Sequence, residues 1–175
     1  SYEEPARWSP LSLWVTRLSR RGHPGERAAT RQLWMLNGGP GMAGEGLAIE
    51  VGGLGDILKD LGENIEVFFP SHRSCGLSSP WINCSMADFT HAAQCAQEVI
   101  SEWGIEGVHQ FSSTNAARDL DRMLTAFGGI SEQHLYCLSY GTFLCQRFLL
   151  LGHTSSVKTV TLDVVVEMDN GLFSH

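Results

Sequence analysis

Long apolar runs are missing from this chain. No stretch approaches the ~20 consecutive apolar residues that a bilayer-crossing helix needs, so no membrane partner is expected. Basic charge is scarce too: Lys and Arg number 12 against 19 Asp and Glu, a formal charge of −7. Nucleic-acid binding calls for a basic patch, so that class of partner is excluded. The cysteines include no C-x-x-C pair, and neither a metal nor a cofactor is expected. There is no internal repeat, no low-complexity tract and no internal linker. The opening residues, Ser1 to Pro5, have neither the basic nor the apolar region of a signal peptide; a signal could have been removed or could lie outside this sequence.

What is present suffices for one domain with a substantial core: 175 residues, 43% of them apolar and 18% charged. The glycines cluster around residues 38–55, which predicts tight loops there. Cysteines stand at 75, 84, 95, 137 and 145. Cys84 and Cys95 flank a short loop before a helix and could close a local disulfide, which would favour an oxidising compartment. The alternative is that all five are free and mostly buried.

Read in order, the chain predicts an edge strand over 11–18, a turn-rich loop over 20–30, and a buried strand over 33–36. A glycine-rich loop follows, Asn37-Gly38-Gly39-Pro40-Gly41, and then a helix somewhere within 47–61. Residues 65–69 are a second strand closed by Pro70. A helix over 86–103 is expected to stop at Gly104, its apolar stripe being Phe89, Ala93, Ala96, Val99 and Ile100. Ser112 to Asn115 can cap a further helix with Ala117, Leu120, Met123, Leu124 and Phe127 on one side. A strand over 135–138, a helix over 143–151 and a strand over 157–166 complete the pattern. Strands and helices alternate, which predicts an α/β fold: a mostly parallel sheet with helices on both faces. A sheet ending after residue 166 would expose an apolar edge, so the chain reads as part of a larger domain or as an edge that another element covers.

The chemistry concentrates at residues 134–143. An apolar strand runs into Ser139, and Gly141 follows two residues later. A strand that turns sharply into a helix with serine at the apex is a nucleophile elbow: the turn lifts the hydroxyl above the sheet and aims the next N–H, that of Tyr140, the same way. The pattern is G-x-S-x-G, and its first position here is Cys137. Attack by a serine on a carbonyl creates an oxyanion that needs preorganised donors. The loop at 37–41 follows a neighbouring strand, so in a parallel sheet it lies on the same edge as the elbow and can supply a second N–H.

Together these segments resemble the α/β-hydrolase fold serine peptidases that include proline iminopeptidases and tripeptidyl aminopeptidases. Asn37 to Gly41 is similar to that family's H-G-G-P-G loop, with Asn for His. Pro70 to Ser78 is similar to its D-x-R-G-x-G-x-S segment, with Ser71 for Asp and Ser74 for Gly. Leu138 to Thr142 matches G-x-S-Y-G-T after its first residue, and Leu162-Asp163 resembles L-D-G with Val164 for Gly. The resemblance spans roughly residues 2–170 and corresponds to the N-terminal half of such an enzyme, with the substrate-recognising cap and the C-terminal catalytic part absent. It implies Ser139 as nucleophile, Tyr140 with Gly38 or Gly39 as oxyanion hole, Arg73 as support for its loop and Gly141 as the elbow's second small residue. It also implies a disulfide between Cys84 and Cys95, where secreted members carry a cysteine pair, and hence a secreted or vacuolar/lysosomal compartment. The substrate it implies is a peptide with a free N-terminus, cleaved through an acyl-enzyme.

The departures matter. Cys137 and Ser74 add side chains where the pattern has glycine, which could strain or shift both turns. The triad order in this fold is Ser, then acid, then His. The acids after the elbow are Asp163, Glu167 and Asp169, and the histidines are His153 and His175. Asp163 reads as part of a strand's apolar core, and none of the five is expected to complete the triad. The acid and base are expected from the remainder of the hydrolase domain or from a partner chain. Two other readings follow: an esterase or lipase with the same elbow, and a truncated or degenerate hydrolase that is catalytically silent and serves as a binding module. Gly39, Gly41 and Gly44 also fit the dinucleotide fingerprint G-x-G-x-x-G, but the next strand ends in Pro70-Ser71 without the ribose-binding acid.

Overall fold

The computed structural model describes residues 11–19, 30–50, 59, 61, 64–82, 92–129, 132–152 and 156–167. The strands are β1 (Val15–Leu18), β2 (Arg31–Leu36), β3 (Ile65–Pro70), β4 (Glu132–Leu138) and β5 (Val157–Asp163). The helices are α1 (Gly44–Glu50), α2 (Ala92–His109), α3 (Ser113–Ala126) and α4 (Tyr140–Leu151).

The strands form one sheet in the order β1-β3-β2-β4-β5. β1 is antiparallel to β3, and every other pairing is parallel. The central strands are buried on both faces, as their unbroken apolar runs predict: all six residues of β3 are buried. On one face Leu47 and Ala48 of α1 pack with Met35, Val67 and Phe69. On the other, α3 and α4 cover Trp34, Leu36, Phe68, Leu135 and Cys137. Trp34 stacks on Phe68 with ring centroids 4.5 Å apart, and Phe127 meets both rings. Such pairs contribute about 0.5–1.5 kcal/mol beyond their buried area.

The α3 stripe is as predicted at Ala117, Leu120, Met123 and Leu124, which are all buried, and the Ser112 hydroxyl accepts from the Asn115 N–H at 3.4 Å. Phe127 departs from the stripe: it caps the helix, 40% exposed. Below the core, Gln133 donates to Gln32 at 2.8 Å and to Leu124 O at 2.9 Å, while Gln32 donates to Phe127 O at 2.9 Å. Two buried amides thus bond carbonyls at the end of α3 that would otherwise lack partners.

Several boundaries differ from the sequence reading. Gly104 does not end α2; it kinks the helix with φ 66 and the chain turns on to His109, because glycine tolerates that conformation. Of the expected stripe only Val99 is buried; Ala93, Ala96 and Ile100 face solvent, and Phe89 lies outside the described residues. β5 ends at Asp163, where Val164 turns away with φ 54, so Val164 and Val165 are exposed rather than in the strand. β5 forms the sheet's edge, with Leu162 36% exposed. No described helix is long and apolar enough to cross a membrane.

Candidate active site

Ser139 stands between β4 and α4 with φ 52 and ψ −118. A non-glycine residue at positive φ is uncommon and costs on the order of 1–3 kcal/mol, so the surrounding structure must hold it. Three groups do. The Ser139 N–H donates to the Asp163 carbonyl at 2.9 Å, lacing the elbow to the end of β5. The Thr142 N–H and hydroxyl both donate to the Ser139 carbonyl, at 2.8 and 2.6 Å. Gly141 presses on β2 so closely that a side-chain carbon there would lie 2.6 Å from the Leu36 carbonyl oxygen.

The glycine loop meets the elbow. A carbon built on Gly38 would sit 3.1 Å from Ser139 Cβ and 3.5 Å from its Oγ. Asn37, 2% exposed, shapes the loop: its Nδ2 donates to Ala43 O at 2.9 Å, and its Oδ1 accepts the Gly38 N–H at 2.7 Å. The Gly38 N–H is therefore engaged, whereas that of Gly39, at φ 109, is not committed to Asn37.

The loop after β3 closes the third side. Arg73 grips Asp119 of α3 through Nε and Nη2 at 2.6 and 2.7 Å, and its Nη1 donates to Gln110 O. Glu45 of α1 holds the other flank, accepting from the Ser71 hydroxyl at 2.5 Å and the Leu77 N–H at 3.1 Å, while Ser71 Oγ accepts the Gly44 N–H at 2.9 Å. Ser71 and Glu45 together place a carboxylate beside the position where the resembled segment carries Asp. Ser74 adopts φ 64, and its hydroxyl accepts the Ile82 N–H at 2.7 Å. The turn keeps its left-handed shape without glycine.

Between this loop and the elbow sits His72, its ring edge-on to Tyr140 with centroids 6.0 Å apart. Burial pushes the imidazole down to about 4, against the raising effect of Asp119. The Tyr140 phenol and the Cys75 thiol are both pushed up, chiefly by burial; Cys75 adds to the rise at Tyr140, and Glu45 to that at Cys75. The sequence reading did not single out His72, because nothing local marks a histidine as packed against the elbow.

Cys137, where the elbow pattern has glycine, is bonded to Cys145 of α4 in a disulfide, with both residues fully buried. The sequence reading expected strain from Cys137 and did not foresee this pair. Cys137 points to the helix side of the sheet, which is where α4 brings Cys145. Cys95 is disulfide-bonded too; Cys84 lies outside the described residues, and Cys75 is free.

Asp163 does not occupy an apolar core. It is exposed at the tip of the edge strand, and its carboxylate accepts the Tyr136 hydroxyl, which that hydrogen bond pushes up in pKa. Glu167 is exposed, while His153, Asp169 and His175 lie outside the described residues. Among the described residues no histidine or carboxylate hydrogen-bonds Ser139 Oγ, and none form a cluster fit for a metal. A cavity of about 320 Å³ borders the Arg73 loop between Leu11, Pro80, Trp103 and Phe111, and no residue of the elbow or glycine loop lines it.

No protein-family model matches the sequence, and no curated protein matches it by sequence. Solved structures do match the fold. An esterase from Exiguobacterium antarcticum aligns at 14% identity with TM-score 0.55, over 87% of this chain and 41% of that one. An α/β-hydrolase enzyme from a Medee basin deep-sea metagenome library aligns at 12% identity with TM-score 0.54, over 95% and 46%. A proline iminopeptidase-related protein from Thermus thermophilus aligns at 17% identity with TM-score 0.53, over 87% and 40%. The chain thus spans less than half the length of each of these structures. Its mostly parallel sheet, with helices on both faces, is part of an α/β-hydrolase fold.

Proposed function

We propose that this chain carries the nucleophile half of a serine hydrolase, with Ser139 attacking a substrate carbonyl and forming an acyl-enzyme. The observation that carries the reading is Ser139 at φ 52 on the apex between β4 and α4, with Gly38 against its side chain. A serine held at such a φ between a strand and a helix exposes its hydroxyl and aligns the next N–H with it. As Oγ attacks, its proton passes to a base, and the carbonyl oxygen becomes an oxyanion. The N–H groups of Tyr140 and Gly39 are its donors in this reading, since Gly38 N–H is held by Asn37. Collapse expels the leaving group, and water then releases the acyl group from Ser139. Removing one oxyanion donor typically costs about 10²–10³-fold in rate.

The base and acid come from the remainder of the hydrolase domain, or from a partner chain, docking at the β5 edge. The partial coverage of the structural neighbours supports this arrangement. The substrate is a peptide with a free N-terminus. That assignment rests on the sequence resemblance, and a proline iminopeptidase-related protein among the neighbours favours it. The esterase reading has its own support in the Exiguobacterium neighbour. A secreted or vacuolar/lysosomal location is favoured by the Cys137–Cys145 bond and by the bonded Cys95.

The experiment compares hydrolysis of aminoacyl and tripeptidyl 4-nitroanilides with that of short-chain 4-nitrophenyl esters by the intact protein. The peptidase reading predicts anilide turnover that N-acetylation abolishes. Ester turnover alone supports the esterase. Absence of both in folded intact protein supports the silent binding module.

A further inference from the structure

The disulfide beside Ser139 has no counterpart in the elbow pattern, and its placement gives it a consequence for the site. Cys137 lies two residues before Ser139 on β4, and Cys145 lies in α4 beyond it, with a Cα–Cα distance of 6.5 Å. The bond therefore closes a ring of backbone that contains the whole turn, Ser139 to Thr142. Both sulfurs are in the interior, in one cluster with Leu36, Leu120, Leu144 and Phe148. The elbow backbone is held by the Ser139 N–H to Asp163 O and by Thr142 to Ser139 O, with Val166 N–H on the Thr142 hydroxyl and Gly141 against β2.

We propose that the Cys137–Cys145 disulfide is a redox-sensitive brace that holds β4 and α4 together around Ser139, and that its reduction releases the elbow. The step is thiol–disulfide exchange with a dithiol reductant. Both sulfurs are buried, so a thiolate of the reductant reaches one of them when α4 opens transiently from β4, attacks it, and the Cys137–Cys145 bond breaks. The second thiolate resolves the mixed disulfide, and the reductant leaves oxidised by two electrons. Cys137 and Cys145 end as two thiols, having taken up two electrons and two protons. Two thiols need more room than one disulfide, because non-bonded heavy atoms sit about 3.5–4.0 Å apart. The demand falls on buried side chains: Cys137 and Cys145 are 0% exposed, as are Leu144 and Phe148 beside them. A close-packed core takes up such a demand by shifting its elements. The joint between β4 and α4 is Ser139 itself, already at an uncommon φ.

The effect on reactivity rests on the nucleophile reading; the effect on the elbow does not. A displacement of about 1 Å at a reacting group can cost on the order of 10²-fold in rate. The test uses the intact protein before and after dithiothreitol, with thiols counted by alkylation and mass. Two quantities are read: amide exchange over 139–145, and the rate of Ser139 labelling by a fluorophosphonate. Reduction is expected to speed exchange over 139–145 by about tenfold or more while β2 and β3 stay protected. Labelling should slow by about 10²-fold and recover on reoxidation. The Cys137→Gly/Cys145→Ala variant, which keeps the disulfide of Cys95, should respond to reductant in neither way. Unchanged exchange over 139–145 after verified reduction would overturn the brace, and so would loss of protection throughout β2 and β3. If exchange responds but Ser139 is labelled in neither state, the brace stands and the nucleophile reading falls. The parent comparison needs no variant, so poor folding of the double substitution does not weaken it.

Discussion

Gly141 sits against the backbone of Leu36: a side-chain carbon on it would approach the Leu36 carbonyl oxygen to 2.6 Å and that of Asn37 to 3.0 Å. The elbow and the glycine loop are therefore packed through one glycine on the elbow side and Gly38 on the other. Gly141→Ala must push α4 away from β2, and overpacking of this kind costs about 1–3 kcal/mol. Gly46, in α1, has nothing within 4 Å of an added carbon. Gly46→Ala should be neutral or stabilising by up to about 1 kcal/mol, since alanine favours helix. Urea unfolding of the two variants checks the contrast, and equal effects would mean that the elbow is not packed as described.

Arg73 and Asp119 form a largely buried, two-pronged ion pair, with side chains 11% and 3% exposed. Removing one partner takes the two-pronged contact from the other charge, with the exposed Arg122 left 3.8 Å from Asp119, and loss of a buried partner typically costs about 3–5 kcal/mol. Arg73→Ala and Asp119→Ala should each destabilise by that order. The double variant should cost clearly less than the sum, because neither charge is then left alone. Thermal or urea unfolding of the three variants reads the coupling; additive losses would contradict it.

His72 links stability to pH. Its folded value is lowered from 6.5 to about 4, chiefly by burial, so the folded protein holds a neutral imidazole. The unfolded chain binds a proton near pH 6.5 and the folded chain does not until about pH 4. The contribution is thus fully present above pH 6.5 and is lost as pH falls from 6.5 toward 4. The loss amounts to about 3 kcal/mol, from about 1.36 kcal/mol per pKa unit. Denaturant midpoints between about pH 7.5 and 4 should fall more steeply in the parent than in His72→Gln. Parallel curves would show that His72 is not held neutral.

The fold and the turns were legible in the sequence because their backbone demands are written as residue types. Positive φ and close approach put glycine at 38, 39 and 141, and burial on both faces of β3 left an unbroken apolar run at 65–69. Contacts that exist only after folding were not legible. Nothing local pairs Cys137 with Cys145, since the two meet only when α4 folds back on β4. Asp119 as the partner of Arg73, and Gln133 as the partner of Gln32, lie far apart in sequence. Asp163 reads as interior because the apolar run continues past it to Val166, whereas β5 is an edge strand that ends at Asp163 with that position exposed. Gly104 read as a stop, yet α2 continues through it with a kink.

The central claim is that Ser139 is a nucleophile presented by the elbow. Its most direct test is labelling of the intact protein with a fluorophosphonate, followed by mass mapping of the modified residue. The account predicts stoichiometric modification at Ser139, lost in Ser139→Ala, and slowed by about 10²–10³-fold when the glycine loop is altered at Gly39. Absence of labelling in folded intact protein under oxidising conditions, or labelling that persists in Ser139→Ala, would contradict it.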